Sequence, residues 1–504
     1  MEHAQAVVIG AGFGGLGASL GLAESGWRVR LFEALRYPGG CASTFTKGQD
    51  RFETGATLFA GLGSDGLFGR WLQQHHQKLQ VTFPDPVVEL RRAEGSLLVD
   101  ASRDAFIARL CAIPGAPSHQ IHRWFALQSK VADALWPVLA DPDRLLPLDA
   151  RGIRWHLSRL PRYGVVLPLV GRSLGDVMRS HGIHDFEPLR TWLNATCQIT
   201  IQCSADQADA VMALATADYF FRDAGHVHGG IGHLAQRMLT VLDELGAEVS
   251  MADPVGALTW LPDERLWLVT SRRHEVKTPI VVANLLPSAL AGLLDSPTAS
   301  LDKLARRVAH SWGACMLYLA VDPQAVQRVD AHHLELIDDT TTPLDQGNHI
   351  FCSISAIDEV ERCADDSRTI TVSTHIPLPA GRLPERSFVE EVQANMWRTL
   401  RRRAPELAAG VRRKWQASPR TWQRFTRRPH GRVGGPPRHA GLGAYLTMVN
   451  KPIEPGLWLV GDSIFPGQST LATWLGGRKL AGRLARDTKR SPRLLAATQD
   501  DTCS

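Results

Sequence analysis

Short uncharged runs separated by glycine-closed amphipathic stretches set the rhythm of this chain. Val7-Val8-Ile9 is a continuous apolar run, as in a strand covered on both faces. Leu16 to Ser25 reads as a helix ended by Gly26, and Trp27 to Phe32 as a second strand. Far along the chain, Leu234, Met238, Leu239 and Leu242 recur at helical spacing and stop at Gly246, and Ala247-Glu248-Val249 follows as a short strand. Pro279 to Asn284 is a further buried strand, broken by Pro287, and Ala472 to Thr488 predicts a last helix. Apolar strands alternating with helices imply an α/β fold on a parallel sheet. The stretches between are rich in Trp, Leu, Arg and Pro and carry no such alternation. The expected organisation is discontinuous: one α/β domain from 1–75, 221–300 and 441–490, a second from 76–220 and 301–440, and a polar tail over 491–504.

The first strand runs into Gly10-Ala11-Gly12-Phe13-Gly14-Gly15, a G-x-G-x-x-G turn where strand becomes helix. Gly10 permits the tight turn, Gly12 lets backbone approach a pyrophosphate, and Gly15 lets helix pack on strand, while the helix's first amides favour an anion. The second strand ends in Glu33, about twenty residues beyond the glycines, where a carboxylate accepts hydrogen bonds from an adenosine ribose. Strand, glycines, helix, second strand and acid together predict a Rossmann-like dinucleotide site. The acid weighs against a 2′-phosphate, and so against NADP, and leaves NAD and FAD open.

With 504 residues, 44% of them hydrophobic, the chain has core enough for two or three domains. The net charge of +5 is small, and the basic excess lies late, in Arg401-Arg402-Arg403, Arg412-Arg413-Lys414 and Arg420 to Arg438. A solvated basic face is the expected reading, ahead of nucleic-acid binding, with an anionic membrane surface as a third option. The eight cysteines, at 41, 111, 197, 203, 315, 352, 363 and 503, form no C-x-x-C pair, so no metal is expected and they read as reduced thiols of a cytosolic protein. No charged-then-apolar leader precedes the first strand and no run reaches membrane-spanning length. The expectation is a cytoplasmic protein, soluble or peripheral to the inner face of a membrane.

Taken together, these segments resemble the flavin-dependent superfamily of amine oxidases and carotenoid desaturases, and more closely its branch of phytoene desaturases and carotenoid cis–trans isomerases. Leu31 to Gly40 is similar to that family's second fingerprint, which implies that Arg36, Gly39 and Gly40 meet the pyrophosphate, with Ala34, Cys41 and Ala42 alongside. Arg51-Phe52-Glu53-Thr54-Gly55-Ala56-Thr57 resembles the segment that passes the isoalloxazine ring and places Glu53, Gly55, Ala56 and Thr57 near it. Gly229-Gly230-Ile231-Gly232-His233-Leu234 resembles the family's G-G-x-G-x-L turn, with Glu248 to Val255 brought to the adenine. Gly456 to Gln468 is similar to the carotenoid isomerase form of the C-terminal flavin motif and implies FAD rather than NAD. Its cofactor set is Gly461, Asp462, Gly467, Gln468, Ser469 and Thr470, which joins Gly10, Gly12, Gly14 and Gly15. Asp462 can accept from a ribityl hydroxyl, and the helix after it would present amides to the flavin N1–C2=O edge. The chain departs from the family at Ser469-Thr470-Leu471, where a glycine and small apolar residues are more usual.

The resemblance implies a long, lipophilic polyene substrate, oxidised by hydride transfer to flavin N5 or isomerised with the help of reduced flavin. Such a substrate needs an apolar tunnel more than a catalytic triad, and the sequence contains no G-x-S-x-G elbow, H-E-x-x-H or P-loop. Glu53 is the candidate proton carrier, against a structural carboxylate, and His226 and His228 are candidates against hydrogen-bonded loop histidines. Cys41 admits a flavin thioether, against simple close packing on the cofactor. Trp155 to Leu174 mixes Leu157, Leu160 and Leu167 with Arg154, Arg159, Arg162 and Arg172, and reads either as an interfacial segment or as a buried helix with snorkelling arginines. Alternative functions are an amine or amino-acid oxidase, against which Phe465-Pro466-Gly467-Gln468 stands, a flavin-bound chaperone or regulatory protein, and a flavin oxidoreductase of another natural-product pathway. The oligomeric state is left open.

Overall fold

Four short, fully buried strands built mainly from Val, Leu, Ile, Ala, Phe and Trp, with a more exposed Glu-Val-Ser strand at one edge, form the sheet that organises the molecule. A computed structural model describes residues 2–327, 332–363 and 365–490; the tail over 491–504 and Cys503 lie outside them. In spatial order the strands are Glu248–Ser250, Val29–Phe32, Ala6–Ile9, Val281–Ala283 and Leu457–Leu459, all parallel. Strands covered on both faces have no use for alternation, which is why they read as unbroken apolar runs. Helix Phe13–Ala23 begins three residues earlier than the apolar pattern suggests, directly from Gly12. It is buried along its whole length and packs on the last helix, Thr470–Arg490. The two meet backbone to backbone: a Cβ on Gly17 would stand 2.3 Å from the Trp474 carbonyl oxygen, and one on Gly477 would stand 2.1 Å from that of Gly14. A four-stranded sheet (Glu2–His3, Glu275–Thr278, Leu266–Ser271, Val255–Leu261) adjoins this layer.

The second body is a seven-stranded mixed sheet, in spatial order Val411–Ala417, Gly313–Val321, Arg368–Ile376, His349–Ile354, His333–Ile337, Val88–Arg92 and Gly95–Val99. Helices Ser118–Leu139, Leu174–His181, Glu187–Thr200 and Ala210–Ala217 gather around Trp124, Trp192, Phe106 and Phe125, and their apolar cluster reaches Val88, Leu90 and Ile337 of the sheet.

Two surface expectations are sharpened by the fold. The basic stretches are exposed at Arg401, Arg402, Arg412, Lys414, Arg420 and Arg424, but several of their arginines pair with acids far along the chain. Arg413 clamps Asp50 and Asp365, Arg412 holds Asp322 and Asp366, Arg402 meets Asp338, and Arg428 meets Asp462. Such chain-crossing pairs cannot be read from a run of like charges. Nor is Trp155 to Leu174 a buried helix: it folds as the end of helix Ala150–Leu157, a single turn Leu160–Tyr163 and the turn Leu167–Leu169. Leu157, Leu160 and Leu167 are 59%, 57% and 70% exposed, while Arg144 and Arg159 sandwich the Trp155 ring at 4.4 and 4.6 Å.

Candidate functional site

At the carboxyl ends of four neighbouring parallel strands the chain turns away through Gly10, Glu33, Asn284 and Gly461, and a cavity of about 940 Å³ opens there. This is where open α/β sheets hold their ligands. Gly10 turns at φ +95°, a conformation that side chains strain. A Cβ on Gly12 would stand 2.7 Å from Asn284 Nδ2, and one on Gly14 would stand 3.0 Å from Gly461 Cα, so backbone itself walls the groove. Glu33 closes its far side. Its two oxygens accept from the amides of Ala11 at 2.6 Å and Leu35 at 2.8 Å, and burial raises its pKa against the pull of those amides. Each oxygen keeps a further lone pair for a ribose hydroxyl. A glycine cradle, a helix start and a fixed acid at one strand end fit a dinucleotide.

Most of the cofactor set expected from the sequence lines this cavity: Gly10, Gly12 and Gly14; Glu33 and Ala34; Gly39 to Ala42; Gly55 to Thr57; Val255; Gly461 and Asp462; and Gln468 to Thr470. Three expected contacts do not. Gly15 faces inward, where a Cβ would meet the Gly10 carbonyl oxygen at 1.9 Å, so it serves helix packing alone. Gly467 lies behind the wall, against Arg438. Arg36 is exposed and outside the lining. The Cys41 thiol is pushed up by burial and stays protonated, which weighs against a thioether.

Glu53 also misses the cavity. Its oxygens accept from Thr44 Oγ1 at 2.9 Å and from the Ile231 amide and Arg362 Nη2, each at 3.2 Å. Arg362 passes on to Glu359, which takes the Gly229 amide at 2.6 Å and His226 Nε2 at 2.8 Å. Burial alone would raise Glu359, yet the bond from His226 and the charge of Arg362 hold it well below the usual carboxylate range. Glu53, Arg362, Glu359 and His226 therefore tie the 229–232 turn to the seven-stranded sheet. This network is one of hydrogen-bonded buried groups, and His228, like Glu53 and His226, lies outside the cavity lining. Asp50, Cys363 and Asp365 lie close enough together to hold a cation, but Arg413 already fills that place, with 2.8 Å bonds to both Asp50 oxygens.

Beyond the groove the cavity continues between the helices and the second sheet, along Leu135, Val138, Val211, Met212, Met316 and Phe351. Its charges are segregated. Among the described lining residues the carboxylates and guanidiniums are Glu33, Asp462, Arg427 and Arg428, with Asp462 and Arg428 joined as an ion pair, and the other titratable groups are Cys41, Tyr219, Tyr445 and His375. Burial takes His375 down to about 4, so its imidazole is neutral, and pushes the Tyr219 phenol up to about 12. Tyr219 is further fixed by accepting the Ala60 amide at 2.8 Å. The chamber is thus uncharged at neutral pH. Sequence reasoning missed Asn284, although it had placed the strand that ends there. It also missed Arg428, hidden in a basic run, and the chamber walls, which only tertiary packing assembles.

Fold and groove define the class: a Rossmann-like dinucleotide-binding domain carrying a second sheet-and-helix domain. Residues 8–74 match the family model of the NAD(P)-binding Rossmann-like domain. Within that class the chain resembles carotenoid isomerases and desaturases. It is 24% identical to the chloroplastic prolycopene isomerase of Arabidopsis thaliana, over 96% of this chain and 82% of the relative. The neurosporene-forming phytoene desaturase of Rhodobacter capsulatus is 48% identical over 11% of this chain and 10% of its own. Among solved structures, an oxidoreductase from Methanosarcina mazei superposes with a TM-score of 0.66 at 15% identity, covering 95% of this chain and 99% of that one. Cyclohexylamine oxidase from Brevibacterium oxydans gives 0.63 at 14% identity, covering 97% and 100%. These structures share the fold, and the resemblance read from the sequence is borne out.

Proposed function

We propose that the protein is an FAD-dependent oxidoreductase acting on a long apolar polyene, by carotenoid desaturation or by carotenoid cis–trans isomerisation. The observation that carries this reading is the segregation of charge in one continuous cavity: polar at the dinucleotide end, uncharged in the chamber beyond. A hydrocarbon offers no hydrogen-bond handles, so an apolar, water-excluding wall is the recognition it needs. When bound, the flavin supplies a two-electron acceptor or donor at N5. The chain's own share is to hold the pyrophosphate on the amides after Gly12, to engage a ribose at Glu33, and to keep the chamber dry with Leu135, Val211, Met316 and Phe351.

A lipophilic substrate must also be loaded. A second cavity of about 900 Å³ shares Trp136, Leu139 and Leu471 with the first and is bordered by Pro161, Arg162 and Val165 of the exposed apolar ledge. Leu442, 64% exposed, extends that ledge beside Gly171. We assign the ledge to a bilayer surface, where leucines enter the headgroup layer and Arg154 and Arg162 meet lipid phosphates. No described helix is long and apolar enough to cross a membrane. The test is chromatography of an acyclic carotene from liposomes incubated with the flavin-loaded protein. A product with longer conjugation or altered cis–trans geometry supports the proposal, while an unchanged carotene with both oxidised and reduced protein opposes it.

A further inference from the structure

Of the two arginines that line the groove, Arg427 is exposed and Arg428 is held in place. Arg428 follows helix Pro419–Thr426, a short element of the second domain, and reaches across to the strand end at Asp462. Its guanidinium is locked on two sides: Nε donates to the Arg432 carbonyl at 2.6 Å, and Nη2 donates to the Gly434 carbonyl at 2.7 Å and to Asp462 Oδ2 at 2.8 Å. The side chain is only 15% exposed, and it lines the cavity next to Asp462 and Cys41. Nη1 has no hydrogen-bond partner among the described residues, so a planar donor pair is held ready within the groove.

The place it faces is the anion end. Asp462 follows Gly461, whose backbone abuts Gly14 at the start of the first helix, and Cys41 follows the Gly39-Gly40 pair. The arginine that sequence likeness offered for the phosphates, Arg36, is exposed outside this wall. We infer that Arg428 is the positioning residue for the pyrophosphate of the bound dinucleotide, a clamp contributed by the second domain and oriented by Asp462. The inference rests on the FAD reading above and adds that cofactor binding joins the two domains. A guanidinium suits the task because Nε and Nη2 anchor it to the protein while Nη1 keeps two N–H groups and the charge for a phosphate, and Asp462 fixes that orientation before the ligand arrives.

The test uses protein stripped of flavin and titrated with FAD or with riboflavin, which carries the same ring system without phosphates, following flavin fluorescence. Arg428→Gln is expected to weaken FAD binding by about tenfold or more while leaving riboflavin binding within about twofold, because only the phosphate contact is lost. Arg428→Lys, which keeps the charge without the fork, should fall between wild type and Arg428→Gln for FAD. It also carries the test alone if the glutamine variant does not fold. Arg36→Gln should bind FAD as wild type does. Unaltered FAD affinity in both Arg428 variants, equal losses for FAD and riboflavin, or the loss appearing in Arg36→Gln instead would overturn the clamp. Failure of the wild-type protein to bind any flavin would overturn the FAD reading itself.

Discussion

Glu335 has no hydrogen-bond partner among the described residues and no exposure, so replacing it should change how stability depends on pH. It lies in the middle of strand His333–Ile337, between Leu90 and Phe351 on the neighbouring strands, 0% exposed and with both oxygens unpartnered. Burial raises its pKa from 4.5 to about 8. With the folded value above the unfolded one, the group's contribution is fully favourable below pH 4.5 and is lost as pH rises toward 8. At pH 7 the carboxyl is protonated in the fold and ionised in the unfolded chain, a cost of about 3 kcal/mol at ~1.36 kcal/mol per pH unit; at pH 5 the same cost is under about 1 kcal/mol. Glu335→Gln keeps size and shape and removes the titration. Relative to wild type, it should gain about 2.5 kcal/mol between pH 5 and pH 7. In a chain of this length that is roughly 2–3 °C in unfolding midpoint. The assay is thermal unfolding of both proteins, flavin-loaded, at half-unit steps from pH 5 to 8.5. Parallel curves, with a difference that does not grow with pH, would refute the reasoning.

Other outcomes follow from the same geometry. Glu53→Gln should lower stability by about 1–3 kcal/mol, through a bond lost to Arg362 or Thr44, and leave turnover per bound flavin within a few-fold; a drop of about a hundredfold or more would restore Glu53 as a proton carrier. Gly15→Ala, whose methyl would meet a backbone oxygen at 1.9 Å, should yield protein lacking stoichiometric flavin when its absorbance is compared with its protein content. Replacing Leu157, Leu160 and Leu167 together by Ser should abolish sedimentation with anionic liposomes and spare flavin content, and persistent sedimentation would remove the ledge from the membrane.

What the sequence made legible is what local chemistry dictates. Gly10, Gly12, Glu33 and Asp462 could be placed because a strand-to-helix phosphate turn, its ribose acid and a strand-end carboxylate each need particular residues at particular spacings. The parallel sheet followed from unbroken apolar runs. Arg428 could not be placed, because its meaning depends on Asp462, 34 positions away, and a basic run looks solvated until its acids are found across space. Arg36 and Glu53 lie outside the cavity lining for the related reason that a motif fixes backbone, while side-chain direction is settled by what packs around it: solvent for Arg36, Arg362 and Thr44 for Glu53. The ledge at Leu157 to Leu167 was visible as composition, but only its exposure distinguished a surface from a core helix.

The most direct measurement is the anaerobic absorbance of the purified protein mixed with liposomes carrying an acyclic carotene, with the carotene analysed from the same cuvette. The expected result is a flavin spectrum close to one FAD per chain, with either bleaching of the oxidised band and a more conjugated product or, in protein reduced beforehand, a cis–trans shift. A colourless protein that takes up no FAD, or a flavoprotein that leaves carotene untouched in both states and is bleached by a small amine, would contradict it.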